Sequence, residues 1–172
     1  KIFDDFVPGY DATLVTRLKQ AGTILLGKTN THQFAYGITG ENPDYGDMHN
    51  PWDPARIPGG SSGGSASAAA SGQCTLTMAS DPGGSIRVPG ALCGLAGLKP
   101  TYGRMSRYGL TPLSWSQDHP GPLARTVEDC ALILQVIAGH DSKDTHSSDT
   151  PVADYTAHLR DGVRGLRIGV DR

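Results

Sequence analysis

The stretch that decides the fold runs from Pro58 to Gly90: PGGSSGGSASAAASG at Pro58–Gly72, then QCTLTMA, then SDPGGSIRVPG at Ser80–Gly90. Two serines sit in glycine-rich turns on either side of a short apolar segment. Glycine beside serine lets the main chain turn sharply and lets another backbone or a carbonyl carbon come close. Gly/Ser tracts are commonly flexible linkers. A linker would not be followed at once by Leu76, Met78, Ile86, Val88 and Leu92, so both clusters read as ordered turns facing one pocket.

Working outward, Ser65–Ser71 is small and Ala-rich, which suits a closely packed helix, and Cys74–Ala79 alternates as a strand does. Upstream, Asp11 is placed to cap a helix reaching about Ala21, with Leu14, Val15 and Leu18 on one face and Gly22 as its stop. Thr23–Leu26 then reads as a short buried strand. From Asn30 to Pro58 there is no steady periodicity but many Asn, Asp, Pro and Gly, predicting a long ordered loop, and loops of that length usually carry function. Downstream, Thr126 and Asp129 form a capping box for a helix to Ala138, with Leu132, Ile133, Val136 and Ile137 as its apolar face and Gly139 ending it. His140–Thr150 reads as a polar surface loop, and Gly165–Val170 as another strand.

Composition narrows the function. Lys+Arg 15 against Asp+Glu 17 gives a formal charge of −2, which offers no basic excess for nucleic acid or an anionic membrane and suits a small neutral substrate. Cys74, Cys93 and Cys130 are odd in number and widely spaced, against a disulfide framework or a zinc knuckle, and they point to a reduced, cytoplasmic setting. No apolar run approaches the roughly 20 residues of a membrane span, and the first residues show no charged-then-apolar leader.

Three motifs compete. GTILLGKT at Gly22–Thr29 satisfies the phosphate-loop pattern, but a helix rather than a strand precedes it, and Thr-Ile-Leu-Leu fills the place of exposed amides; Lys28 is then a strand-end lysine. Gly59–Gly63 satisfies the G-x-S-x-G elbow with Ser61 as nucleophile, but Asp53–Pro58 is no strand. The later His119, His140, His146 and His158 all lie in polar settings. The third reading joins the two glycine clusters into one site.

At this point the chain resembles the amidase signature family. GKTNTHQFAYG, NPWDPARIPGGSSGGSASAAASG, DPGGSIRVPGALCGLAGLKPTYGRMSRYG and DHPGPLARTVEDCALILQVIAGHD are similar to its blocks, in its order, from about Asp11 to Asp141. The resemblance implies an α/β fold, a mixed twisted β-sheet covered by helices, of which residues 1–172 are the central part. It implies Ser85 as nucleophile and Ser61, behind a cis peptide bond, as proton relay, with Ser62 supporting the network. A neutral lysine acts as base through the bridging serine, a Ser-Lys variant of triad chemistry. Main-chain amides of Gly83, Gly84 and Ser85 form the oxyanion hole. Ser85 is expected to open a helix whose dipole favours the same charge. Asp81 and Arg87 brace the turn as an ion pair, and Cys93 is an inert core thiol.

Two departures stand out. Pro82 has no N–H to offer the oxyanion. The family's lysine belongs to a motif upstream of GKTN that this sequence does not contain, so the 172 residues are expected to be inactive alone, a piece lacking its base and its C-terminal part. The implied activity is hydrolysis of a linear carboxamide through an acyl-enzyme, with a small-molecule amide as substrate, no cofactor and no metal; a homodimer is compatible with the sequence. Alternatives are a glutamine-hydrolysing subunit of a tRNA-dependent amidotransferase, a non-catalytic remnant, and a phosphate-loop nucleotide binder. Val88, where those subunits typically show glutamine, and ITGENPDYGDMHNPWD favour the stand-alone amidase.

Overall fold

The structure, a computed structural model, describes residues 3–170. Its elements are α1 (Thr13–Gln20), a short 3-10 turn (Gln33–Ala35), α2 (Gly63–Ala70), β1 (Leu76–Ser80), α3 (Arg87–Cys93), β2 (Ala96–Gly97), β3 (Pro120–Ala124) and α4 (Val127–Ile137). The fold class is α/β. The strands form one sheet in the order β1-β3-β2, and within the described residues both pairings are antiparallel, with Thr77 opposite Leu123 and Gly97 also opposite Leu123.

The sheet separates two small cores. Leu76 and Met78 pack on one side with Leu14, Met105, Ala124, Cys130, Ile133, Leu134 and Ile137; Ala79 packs on the other with Ala66, Ile86, Cys93 and Leu123. The period of two along β1 is what divides them. Thr77, buried between, satisfies its hydroxyl on the carbonyls of Ser65 and Leu123, which ties α2 to the sheet.

Helix α4 starts as its sequence dictates. Thr126 Oγ1 accepts from the Asp129 amide at 3.0 Å and donates to Asp129 Oδ2 at 2.7 Å. Its buried face corrects the expected one: Cys130, Ile133, Leu134 and Ile137 point inward at helical spacing, while Leu132 is 52% exposed and Val136 37%. The apolar run continues around the helix, so composition alone did not mark the inward stripe. Helix α1 buries Leu14 and half-buries Val15 and Leu18 as expected, but Asp11 does not cap it; Ala12 holds the cap position and Asp11 pairs with Lys19 at 2.6 Å.

Two expected strands are not strands. Ile24, Leu25 and Leu26 are 85%, 61% and 74% exposed, and Leu166, Ile168 and Val170 are 68%, 80% and 79% exposed. Neither segment finds a ladder partner among the described residues, and an apolar run without one cannot register as a strand. The loop His140–Thr150 is polar but anchored. Asp144, 7% exposed, holds Arg107 at 3.2 Å, and Asp141 accepts from Thr13 and Ser106 at 2.5 and 2.6 Å.

In the full-length protein, Ile137→Ala is expected to cost about 2–5 kcal/mol in urea unfolding, the range for a truncated core side chain. Leu132→Ala, on the exposed face, is expected to cost under about 1 kcal/mol. The reverse order would overturn the assigned face.

Candidate active site

The second glycine turn, Ser80–Arg87, is organised by one carboxylate. Asp81 is fully buried, and its Oδ2 accepts the Ile86 amide at 3.2 Å, the Arg87 amide at 3.3 Å and Arg87 Nε at 3.0 Å. Its Oδ1 accepts from Arg87 Nη2 at 3.0 Å and faces Lys99 Nζ at 3.2 Å. Burial pushes the Asp81 carboxyl up; the bonds from Arg87, from the two amides and from Lys99 outweigh it and hold the carboxyl far below its ordinary range. The expected Asp81–Arg87 pair is therefore present. Lys99, which sequence reasoning left out, joins it; a lysine inside the otherwise apolar run GLAGLKP was the available signal.

A carboxylate that bonds amides five and six residues on folds the intervening chain into a loop. Within it Gly84 takes φ +145°, open to glycine, and the Val88 amide returns to the Gly84 carbonyl at 2.8 Å. Ser85 lies just before α3, which begins at Arg87, so it does not open the helix as expected. Among the described residues, no protein acceptor takes the amides of Gly83, Gly84 or Ser85. The Ser85 side chain is buried to 6% exposure.

The first turn, Pro58–Ser62, is held by close backbone packing. A Cβ on Gly59, which has φ +84°, would lie 2.8 Å from Pro89 Cα, and one on Gly60 would lie 2.7 Å from the Gly37 carbonyl oxygen. The Gly60–Ser61 peptide bond is cis. The Ser61 carbonyl accepts the His32 amide at 2.8 Å. Its hydroxyl is another matter: Ser61 is 1% exposed, and its Oγ has no hydrogen-bond partner among the described residues. Ser62 bonds the Ser80 carbonyl and amide at 3.4 Å each, which ties the first turn to the residue before Asp81.

The two turns therefore meet, through Ser62 on Ser80 and Gly59 on Pro89, at one end of β1. The Ser61 and Ser85 hydroxyls do not bond each other, since among the described residues Ser61 Oγ has no hydrogen-bond partner. Lys28 lies on an exposed segment that follows a helix rather than a strand, and Ser61 is too buried for an exposed strand-to-helix elbow. His140, His146 and His158 are exposed. Cys93, fully buried, donates to the Pro58 carbonyl, and burial pushes its thiol up.

The long loop adds residues that sequence reasoning did not single out. Asn42 bonds Asn30 and the Thr31 carbonyl at 2.9 Å each, the His32 ring accepts amides of Gly40 and Glu41, and Thr29 meets Ser65 at 2.8 Å. These contacts make the loop a wall behind Ser61. Among the described residues, no three His, Cys, Asp or Glu side chains are placed to hold a metal ion, and no helix is long and apolar enough to cross a membrane.

Because the folded-state pKa of Asp81 is depressed, the stability it supplies is complete above its unfolded value of about 3.9 and is lost as pH falls toward the folded value. Asp81→Asn is expected to destabilise the full-length protein by about 2 kcal/mol at pH 7. In urea unfolding the gap to the parent should begin to narrow below about pH 4; a gap that widens there contradicts the assignment.

The Amidase family model matches residues 1–172. The A subunit of the glutamyl-tRNA(Gln) amidotransferase of Roseiflexus sp. (strain RS-1) is 56% identical over 172 residues, all of this chain and 35% of the relative, so the chain spans about a third of that protein. The crystal structure of the protein of the same name from Thermotoga maritima superposes with TM-score 0.93 at 42% identity, over 96% of this chain and 36% of that one. The native peptide amidase of Stenotrophomonas maltophilia gives TM-score 0.83 at 44% identity, over 87% and 32%. The chain belongs to the Amidase family.

Proposed function

We propose that the complete protein hydrolyses a carboxamide C–N bond by acyl transfer to Ser85. The observation that carries this reading is the buried, unpartnered hydroxyl of Ser61 at the turn packed against the Ser85 turn. A buried polar group without a partner costs about 1–3 kcal/mol and is rare in folded proteins, so a proton-carrying role explains why it is kept. Ser85 Oγ attacks the amide carbon, its proton passes through Ser61 to the departing nitrogen, and the C–N bond breaks to leave an ester on Ser85. Water then cleaves the ester by the reverse proton path and releases the acid. The free amides of Gly83, Gly84 and Ser85 supply donors for the oxyanion; Pro82, lacking an N–H, leaves that work to the three residues after it. The base is the lysine that the family resemblance implies, and no lysine of this chain is assigned the role.

The leaving nitrogen and acyl group are set by what surrounds this turn. A Val88 methyl lies 3.1 Å from where a Cβ on Gly84 would be, so the side chain at that position borders the nucleophile loop. A valine there offers no hydrogen bond to a polar substrate and favours a general amidase acting on linear amides. A second reading, a glutamine-hydrolysing component of an amidotransferase, is favoured by relatives of that name at 53% and 56% identity across the whole chain.

Ammonia release by the full-length protein from propionamide, benzamide and glutamine separates the two. Turnover of the simple amides without partner subunits supports the amidase; turnover of glutamine alone, raised by amidotransferase partners, supports the second. In either case Ser85→Ala is expected to lose more than about 1,000-fold in kcat and all labelling by a fluorophosphonate probe. Ser61→Ala is expected to lose at least about 100-fold in kcat. Labelling that survives Ser85→Ala would place the nucleophile elsewhere.

A further inference from the structure

Lys99 makes two contacts that the chemistry above does not use. Its Nζ donates to the Pro82 carbonyl at 3.2 Å while facing Asp81 Oδ1 at 3.2 Å, and its side chain is 21% exposed. The backbone that carries it is fixed: the Leu98 amide bonds the Pro122 carbonyl at 3.1 Å, and a Cβ on Gly121 would come within 2.3 Å of the Leu98 oxygen. The loop it reaches is more open. Gly83 is exposed, a Cβ there would meet nothing within 4 Å, and among the described residues the Pro82 carbonyl accepts a hydrogen bond from Lys99 alone. The Pro82–Gly83 peptide is trans, since the cis bond is Gly60–Ser61. In a trans peptide the carbonyl and the amide N–H point in opposite directions. Whatever holds the Pro82 oxygen therefore aims the Gly83 N–H.

We propose that Lys99 is a positioning residue for the oxyanion hole: its ammonium, held by Asp81, pins the Pro82 carbonyl and so turns the Gly83 N–H toward the site beside Ser85. The inference rests on the reading of Ser85 as nucleophile and Gly83 as oxyanion donor. It also gives Pro82 a use. The ring fixes φ at Pro82 and the lysine fixes its carbonyl, so both sides of the residue are set before substrate arrives. Lys99 is not the relay's base, because its Nζ does not bond Ser61 Oγ, which has no partner.

The test is the reaction of full-length protein with a fluorophosphonate, which needs no knowledge of the natural amide. Ser85 Oγ forms a bond to phosphorus, fluoride leaves, the hydroxyl proton passes to the relay, and the phosphoryl oxygen takes the oxyanion position. Losing an oxyanion donor outright costs about 100- to 1,000-fold, and a misaimed one part of that. Lys99→Met is expected to lower the maximal labelling rate about 10- to 100-fold with the half-saturating probe concentration unchanged, and Lys99→Arg, which can hold both oxygens, to recover most of it. A merely structural role would reduce the labelled fraction and the unfolding midpoint but leave the rate of the folded molecules intact. A maximal rate within about threefold of the parent in folded Lys99→Met overturns the proposal. Should Lys99→Met fail to fold, Lys99→Gln, too short to reach both Asp81 and Pro82, takes its place under the same criteria. Ser85→Ala distinguishes the two failures: if it is still labelled, the active-site reading falls; if it is silent while Lys99→Met labels at full rate, only the role of Lys99 falls.

Discussion

The arrangement depends on a carboxylate that has no access to water. Asp81 is fully buried, yet five donors converge on it: two amides, two guanidinium nitrogens and an ammonium. Desolvating a carboxylate costs several kcal/mol unless charge and hydrogen bonds replace the lost water. Here the replacement comes from residues five, six and eighteen positions later, so the electrostatic requirement of one side chain becomes a geometric constraint on the whole turn. The Ile86 and Arg87 amides must face Asp81. Gly83, Gly84 and Ser85 lie between, and among the described residues no acceptor takes their amides.

A loop tied to a buried carboxylate still needs a floor, and the other glycine cluster supplies it. Gly59 and Gly60 admit no side chain because Pro89 and Gly37 lie against them, and Gly64 admits none because the Asn30 oxygen would be 2.3 Å from its Cβ. Three stretches of backbone thus stack with nothing between them: the long loop, the first turn with α2, and the start of α3. Packing of main chain on main chain leaves little room for rearrangement, since there are few rotamers to absorb a shift. It also explains how Ser61 comes to be buried without a partner. With Gly59 and Gly60 pressed on Pro89 and Gly37 and the Ser61 carbonyl taken by the His32 amide, the turn that buries the hydroxyl is fixed by contacts that do not involve it.

Much of this was legible in the sequence, and the parts that were not share a cause. The Thr126–Asp129 cap and the Ala-rich helix follow from interactions within a few residues, which local sequence encodes, and the Asp81–Arg87 pair is what the family resemblance implies. The failures involve partners distant in the chain. Ile24–Leu26 and Leu166–Val170 carry strand composition, but a strand exists only where another pairs with it. Leu132 and Val136 are as apolar as Ile133 and Ile137, and only the position of the sheet decides which pair turns inward. Lys99 was passed over because nothing near it in sequence announces a carboxylate; Asp81 is eighteen residues earlier and comes into reach only when β2 pairs with β3.

The same distinction separates the two glycine clusters from the motifs they imitate. GTILLGKT and GGSSG each satisfy a known pattern over a handful of residues, and each fails on what lies outside it: α1 where a strand is required, and a turn-rich approach at 51–58 where another strand is required. The proposed pairing of the clusters rests on the converse argument. Each serine turn supplies what the other lacks. Among the described residues, the first gives a buried hydroxyl with no partner, and the second gives amides with no acceptor beside the Ser85 hydroxyl. The proposed site would reside not in either motif but in the contacts between them, Ser62 on Ser80 and Gly59 on Pro89. Those contacts are long-range in the chain and short-range in space, and their physical requirement, the absence of side chains where the backbones touch, is what the sequence displays as glycine.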